Sequence, residues 1–124
     1  MANELSIILR GTLANGNLNS QFNPGTVQVT QAAQGLHAPT VSVGTSEEDL
    51  DIGDLGAATV GYLFMRNLDT TNYVQWGPKS GGVMVAVGRL KAGEVACLRV
   101  EPSVTIRWVA NTAACLVQCW FTKA

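Results

Sequence analysis

The stretch Val60-Gly-Tyr-Leu-Phe-Met-Arg-Asn-Leu68 decides the fold class of this 124-residue chain. It carries four bulky apolar residues in a row, Tyr62-Leu63-Phe64-Met65, and the turn-forming run 67–72 follows it. A short apolar run that is bounded by turn residues is typical of a buried β-strand. We therefore predict a central strand over residues 60–68.

Shorter segments on both sides of this run alternate apolar and polar residues, which indicates strands with one buried face. The last of them, 115–122, places Cys115, Val117, Cys119 and Phe121 on one face. The other predicted strands are 5–13, 26–31, 41–45, 73–76, 83–87, 94–100 and 104–110. No window shows a helical stripe of useful length. Eight or nine short strands joined by tight turns predict an all-β antiparallel β-sandwich, jelly-roll-like in its path.

One domain over residues 1–124 fits the length, because two ordinary domains would need a longer chain. Residues 1–35 are the exception, since they could form an extended N-terminal arm or hairpin outside the main sandwich. Within them the strand over 26–31 turns Val27 and Val29 inward. Its outward face then consists of the uncharged polar residues Thr26, Gln28 and Thr30.

Charged residues make up only 14% of the chain, whereas 47% of its residues are hydrophobic and the net charge is −1. Soluble domains carry about 25% charged residues. So few charges on the surface favour association, and we expect a homo-oligomer. The scattered basic residues argue against a nucleic-acid partner or a membrane surface. Glu4, in place of the positive charge of a signal peptide, predicts synthesis in a cytoplasm.

Three cysteines are interpreted as reduced thiols. Cys115 and Cys119 lie four residues apart in one predicted strand, so their Cα atoms are ~13 Å apart. A disulfide requires less than about 7 Å. Cys97 could meet one of them across strands, but an odd number of cysteines in a reducing compartment favours free, buried thiols.

The sequence offers no credible catalytic site, so we predict that the chain is not an enzyme and holds no cofactor. His37 is the only histidine, which is too few for a metal cupin centre. The acidic cluster of residues 47–54 supplies enough oxygens for a cation, but its spacing does not match a calcium loop. This cluster, for which a metal site is not predicted, consists of Glu47, Glu48, Asp49, Asp51 and Asp54.

Tryptophans leave one binding alternative open. Trp76 and Trp108 could form a stacking platform for sugars in a carbohydrate-binding module. Each tryptophan lies in an apolar strand segment, however, and this favours a place in the core or at an interface.

From Gly61 onward the chain resembles a family of small phage and prophage β-sandwich virion proteins. The segments that carry the resemblance are 61–63, 66–69, 72–77, 90–94 and 110–114. It implies a capsid decoration protein, with a trimer as the favoured oligomer, the major capsid protein as partner and the virion as location, after synthesis in the host bacterium. The alternative positions are the tail, the neck or a fibre. The interface residues expected in this reading are Thr26, Gln28, Thr30, Tyr73 and Trp76.

Overall fold

A computed structural model describes residues 3–124, which divide into two compact units. The first unit ends at Gln34 and the second begins at Gly35. All strand pairs among the described residues are antiparallel. The prediction of an all-β antiparallel sandwich is confirmed. No helix in the described part of the chain is long and apolar enough to cross a membrane.

Between residues 3 and 34 the first unit contains two pairs of strands. Strand β1 (Leu5–Ile8) pairs with β4 (Thr26–Val29), and strand β2 (Gly11–Asn15) pairs with β3 (Leu18–Phe22). Gly16, with φ of 59°, supplies the left-handed backbone that a tight turn between β2 and β3 requires. Residues 11–22 therefore form a two-stranded hairpin.

The continuous strand predicted over residues 5–13 is wrong, because the ladder stops between Ile8 and Gly11. On the returning side the same interruption falls at Pro24 and Gly25. Proline has no N–H to donate to a ladder, and Gly25 adopts a φ of 79° that an extended strand excludes. The two breaks separate one long ribbon into two short pairs.

The second unit contains ten strands in two sheets. They are β5 (Leu36–His37), β6 (Thr40–Val43), β7 (Glu48–Asp49), β8 (Val60–Asn67), β9 (Val74–Ser80), β10 (Val83–Met84), β11 (Gly88–Leu90), β12 (Val95–Arg99), β13 (Ile106–Ala110) and β14 (Cys115–Lys123). Sheet I has the order β10-β9-β13-β7, and β11 also pairs with β9. Sheet II has the order β12-β8-β14-β5, and β6 also pairs with β14. The path alternates between the sheets from β11 to β14, as a jelly-roll-like fold does.

The core lies between the two sheets. Strand β14 buries Cys115, Val117, Cys119 and Phe121 and exposes the alternate residues Leu116, Gln118 and Trp120. This alternation confirms the predicted inner face of the last strand. From sheet I the side chain of Trp108 enters the same core and is fully buried. Strand β8 lies between β12 and β14, which confirms the prediction of a central strand.

Asn67, at the end of β8, is a fully buried polar residue. Its Nδ2 donates to the carbonyl oxygens of Asn72, at 2.9 Å, and of Leu90, at 3.0 Å. Its Oδ1 accepts a hydrogen bond from the backbone N–H of Asp69 at 3.0 Å. Asp69 in turn accepts from the N–H groups of Thr71 and Asn72, which lower the pKa of its carboxyl group. These bonds fix the turn from β8 to β9.

Candidate assembly surfaces

The hairpin of residues 11–22 has two chemically different faces. Directly opposed residues of an antiparallel pair share a face, so Leu13, Leu18 and Phe22 all project on one side. The opposite side carries the pairs Thr12–Gln21 and Ala14–Asn19. The three apolar side chains are 48%, 58% and 62% exposed, respectively. We call Leu13, Leu18 and Phe22 the hairpin face.

The polar residues predicted as an interface on residues 26–31 lie next to this hairpin. Thr26 and Gln28 are exposed on β4, opposite Ile8 and Ser6 of β1, and Thr30 is exposed just beyond the strand. The side of this pair that carries Thr26 and Gln28 is mostly polar. A role of these three residues in an interface stays a prediction.

Tyr73 and Trp76, the other predicted interface residues, lie at the start of β9. The guanidinium carbon of Arg89 stands 4.0 Å from the centroid of the half-buried Tyr73 ring. Trp76 packs against the core opposite Trp108, and its ring lies so close to Gly88 that any β-carbon there would overlap it. Among residues 3–124 the buried Nε1 atoms of both tryptophans find no acceptor. Trp76 and Trp108 therefore serve packing, and the sugar-stacking platform suggested for them is wrong. A role of Tyr73 and Trp76 in an interface stays a prediction.

Sheet II presents an aromatic outer surface. Tyr62 and Phe64 project outward from β8 and have ring centroids 6.2 Å apart, while Trp120 of β14 contacts Phe64 edge-on at 5.1 Å. Trp120 is 39% exposed. On the flanking strands Val95 and Leu116 are exposed on the same side. We call these five residues the aromatic face.

The outer surface of sheet I is charged instead. Arg107 of β13 donates from Nε to Asp49 at 2.9 Å and from Nη1 to Glu47 at 3.3 Å. These hydrogen bonds raise the pKa of Arg107 above its ordinary value. Lys79 and Arg89 are exposed on the neighbouring strands of the sheet.

The acidic cluster of residues 47–54 is engaged within its own unit. Glu47 also accepts from the N–H of Met84, and Asp51 lies 3.1 Å from the Nε2 of His37 and accepts from the N–H of Gly53. Within residues 3–124 no three His, Cys, Asp or Glu side chains are grouped to hold a metal ion. These contacts hold β7 and its flanking loops in place, which is a structural role.

An apolar sheet edge runs from β10 towards β11. Val83, Val85 and Val87 are all exposed there. The N–H groups of Val85 and Val87 donate to the carbonyls of Pro78 and Trp76 of β9. We call these three residues the valine edge, and such an edge is prone to pair with another chain.

One cavity of about 250 Å³ opens between the sheets beside β13. Its wall is mostly aliphatic and includes Ile52, Val60, Val104 and Ile106, with Asp49 at its margin. Asp49 is already bound to Arg107. A ligand site normally carries a few polar groups that orient the ligand. This cavity has few such groups, and we assign it no ligand.

The three cysteines are free within the described residues. Cys115 and Cys119 are buried, and burial is the main cause that raises the pKa of both, for Cys119 from 9.0 to about 12. Cys97, on the outer side of β12, is half-buried, and its pKa is raised as well. A thiol reacts as its thiolate, so the two inner cysteines are shielded from disulfide exchange.

We expect iodoacetamide at pH 8 to label Cys97 first and Cys119 last in the folded chain, because Cys119 combines burial with the highest pKa. Peptide mass spectrometry would measure the order, and chain unfolded in urea should label evenly. Equal labelling rates of Cys97 and Cys119 in the folded chain would contradict this assignment.

Between pH 9 and 12 the unfolded chain releases the Cys119 proton while the folded chain retains it, so the free energy of unfolding should fall as the pH rises through this window.

Comparison with known proteins gives one structural likeness. No family model and no curated protein matches the chain. A solved structure from Bacillus endospore appendages, described as a novel family of disulfide-linked pili, is similar to it with a TM-score of 0.54 and 14% sequence identity. The match covers 99% of this chain and 92% of that chain. At this identity the likeness shows the fold alone.

This finding corrects the predicted function. The fold that matches nearly the whole chain belongs to a pilus protein and not to a phage capsid protein, so the prediction of a capsid decoration protein is wrong. The alternatives at a phage tail, neck or fibre are not retained either. The trimer, the major capsid protein as partner and the virion location rested on the phage resemblance, and the comparisons give them no support.

Proposed function

We propose that this chain is a structural subunit that assembles with identical copies into an extended polymer, and that the hairpin of residues 11–22 is its docking element. One observation carries the proposal: the hairpin exposes three large apolar side chains on a single face. An isolated two-stranded hairpin is at best marginally stable in water. Contact with another protein surface would bury its apolar face and so stabilise the hairpin.

The charge pattern supports burial of this region in an assembly. Arg10 is the last charged residue before Glu47, so every residue of the hairpin is uncharged. In natural proteins, charged side chains, above all lysine, prevent exposed strands from pairing with other chains. The hairpin lacks this protection, which favours contact with protein over contact with water.

The structural likeness supports the same class of function. The similar solved structure belongs to a protein that forms pili, and this chain shares its fold over nearly the full length. Those pili are described as disulfide-linked. In this chain, all three cysteines lie outside the hairpin and two of them are buried, so we propose that its polymer is held by non-covalent contacts.

The energetics of such a contact are modest for each copy. Burying one Leu or Phe side chain contributes about 1.5–3 kcal/mol, against which association entropy must be set. Contacts of this size give stable attachment when each subunit binds its neighbours at more than one place in the polymer. A catalytic role forms no part of this proposal.

Light scattering and negative-stain electron microscopy would test the proposal on the full chain. Wild-type protein should form species whose mass grows with concentration, and Leu13→Ser combined with Phe22→Ser should leave monomers. The matched control, Ala14→Ser with Gln21→Ser, alters the opposite face of the same hairpin and should assemble as the wild type does. Assembly of the Leu13/Phe22 variant at wild-type concentrations would refute the docking role.

A further inference from the structure

We infer that the aromatic face of sheet II is the seat on which a second copy places its hairpin. This inference rests on the proposed function and names the receiving surface. The seat is defined by Tyr62, Phe64 and Trp120, with Val95 and Leu116 at its margins. The occupant is the hairpin face of another copy, which consists of Leu13, Leu18 and Phe22.

The chemistry of the two outer sheet surfaces selects between them. An apolar hairpin laid on sheet I would strip water from the exposed Lys79 and Arg89, for which the uncharged hairpin offers no counter-charge. It would also cover the ion pairs of Arg107 with Asp49 and Glu47. Removing charged groups from water without pairing them is costly. On sheet II the same hairpin meets aromatic rings and aliphatic side chains, with Arg66 and Arg99 beside them.

The dimensions of the two surfaces agree. Neighbouring strands lie about 4.8 Å apart, so the three strands β12, β8 and β14 offer a surface on which two hairpin strands fit side by side. Each hairpin strand has five residues, and β12 also has five. Both surfaces are therefore about 17 Å long.

The valine edge is a poorer seat for this occupant. Side chains of a hairpin project from its faces and not from its edges. If β2 or β3 paired edge-on beside Val85, the hairpin face would stay in water. Packing face to face on Phe64 and Trp120 covers it.

Two basic residues share the outer side of sheet II with the seat: Arg66 lies within it, directly opposite Val95, and Arg99 lies opposite Tyr62. The Arg99 guanidinium carbon lies 4.7 Å from the centroid of the Tyr62 ring, and Arg66 lies beside Phe64 in the outward series of β8. The ion–ring contact holds one ring of the seat in place. The free backbone carbonyls at the edges of an incoming hairpin would meet these guanidinium groups as acceptors.

A complementation experiment on full chains tests the seat. The acceptor variant carries Leu13→Ser and Phe22→Ser, and the donor variant carries Phe64→Ser and Trp120→Ser. Each alone should stay monomeric, whereas an equal mixture should form a complex of twice the 13.1 kDa chain mass, because one intact hairpin meets one intact seat. Sedimentation velocity would measure both.

Single variants on the seat and on two control surfaces test the same assignment. Trp120→Ser alone should weaken association about 30-fold, as loss of a central aromatic contact does, and circular dichroism should show that it folds. Val109→Ser on the outer side of sheet I and Val85→Lys on the valine edge should assemble as the wild type does. A mixture that stays monomeric, or a loss of assembly with Val85→Lys but not with Trp120→Ser, overturns the seat. If Leu13→Ser with Phe22→Ser still assembles, the proposed function fails instead.

Discussion

Replacing Asn67 by alanine should lower the free energy of unfolding by about 3 kcal/mol or more. The change removes three hydrogen bonds in a fully buried place and leaves the carbonyls of Asn72 and Leu90 without this donor. A buried polar group that loses its partner costs about 1–3 kcal/mol. Since small domains are stable by only about 5–15 kcal/mol, the transition should move to clearly lower urea concentration.

Two further variants separate the effect of the lost hydrogen bonds from the effect of the lost side-chain volume at Asn67. Asn67→Asp keeps the shape and the acceptor for the Asp69 N–H, but a carboxylate cannot donate to the two carbonyls. At neutral pH this variant should lower the free energy of unfolding nearly as much as Asn67→Ala does. Under acid conditions that protonate the new side chain, the loss should be smaller. Gln118→Ala, at an exposed position of β14, is the control and should change stability by less than about 0.5 kcal/mol. A similarly small effect of Asn67→Ala would show that the network at the end of β8 is dispensable.

A second large effect is expected at Gly77 in β9. A β-carbon there would overlap the carbonyl oxygen of Val85 and lie 2.9 Å from the backbone nitrogen of Val87. Backbone atoms cannot step aside as a flexible side chain can, so the segment 83–87 would have to leave β9. The N–H bonds of Val85 and Val87 to β9 would be lost with it.

Gly77→Ala should therefore cost about 3 kcal/mol or more, from overlap in a packed place and from two lost hydrogen bonds. Thermal and urea unfolding would measure the loss. Gly44→Ala is the matched control, because a β-carbon at Gly44 meets nothing within 4 Å and its φ lies outside the left-handed region. An unfolding midpoint of Gly77→Ala equal to that of Gly44→Ala would contradict the close approach seen in the structure.

The strands with the clearest hydrophobic pattern could be predicted from sequence. The run at 60–68 and the alternation at 115–122 correspond to β8 and β14, because burial on one or both faces leaves a direct mark on residue order. Strand β3 was missed. Its sequence, Leu18-Asn-Ser-Gln-Phe22, has apolar residues only at its two ends, and its pairing with β2 arises from the turn at Gly16.

The surfaces were harder to predict than the strands. Apolar residues on both sides of β8 indicated burial on both sides, yet the rings of Tyr62 and Phe64 are half-exposed on the outside. Sequence order cannot say whether a second layer covers a sheet. In the same way, Arg107 and Asp49 are 58 positions apart, and only folding brings the acidic cluster to its partner. Trp76 and Trp108 lie in apolar strand segments, which predicted a place in the core or at an interface, and both pack in the core, whereas Trp120 is exposed on the outside of β14.

The hairpin and the aromatic face are different parts of one chain, so the proposed contact between two copies joins unlike surfaces. Unless such a series closes into a ring, it must have direction. Its first member keeps a bare hairpin and its last member keeps a bare seat. The two ends of a fibre built in this way are chemically distinct, and growth, capping or anchoring at one end need not resemble the same event at the other.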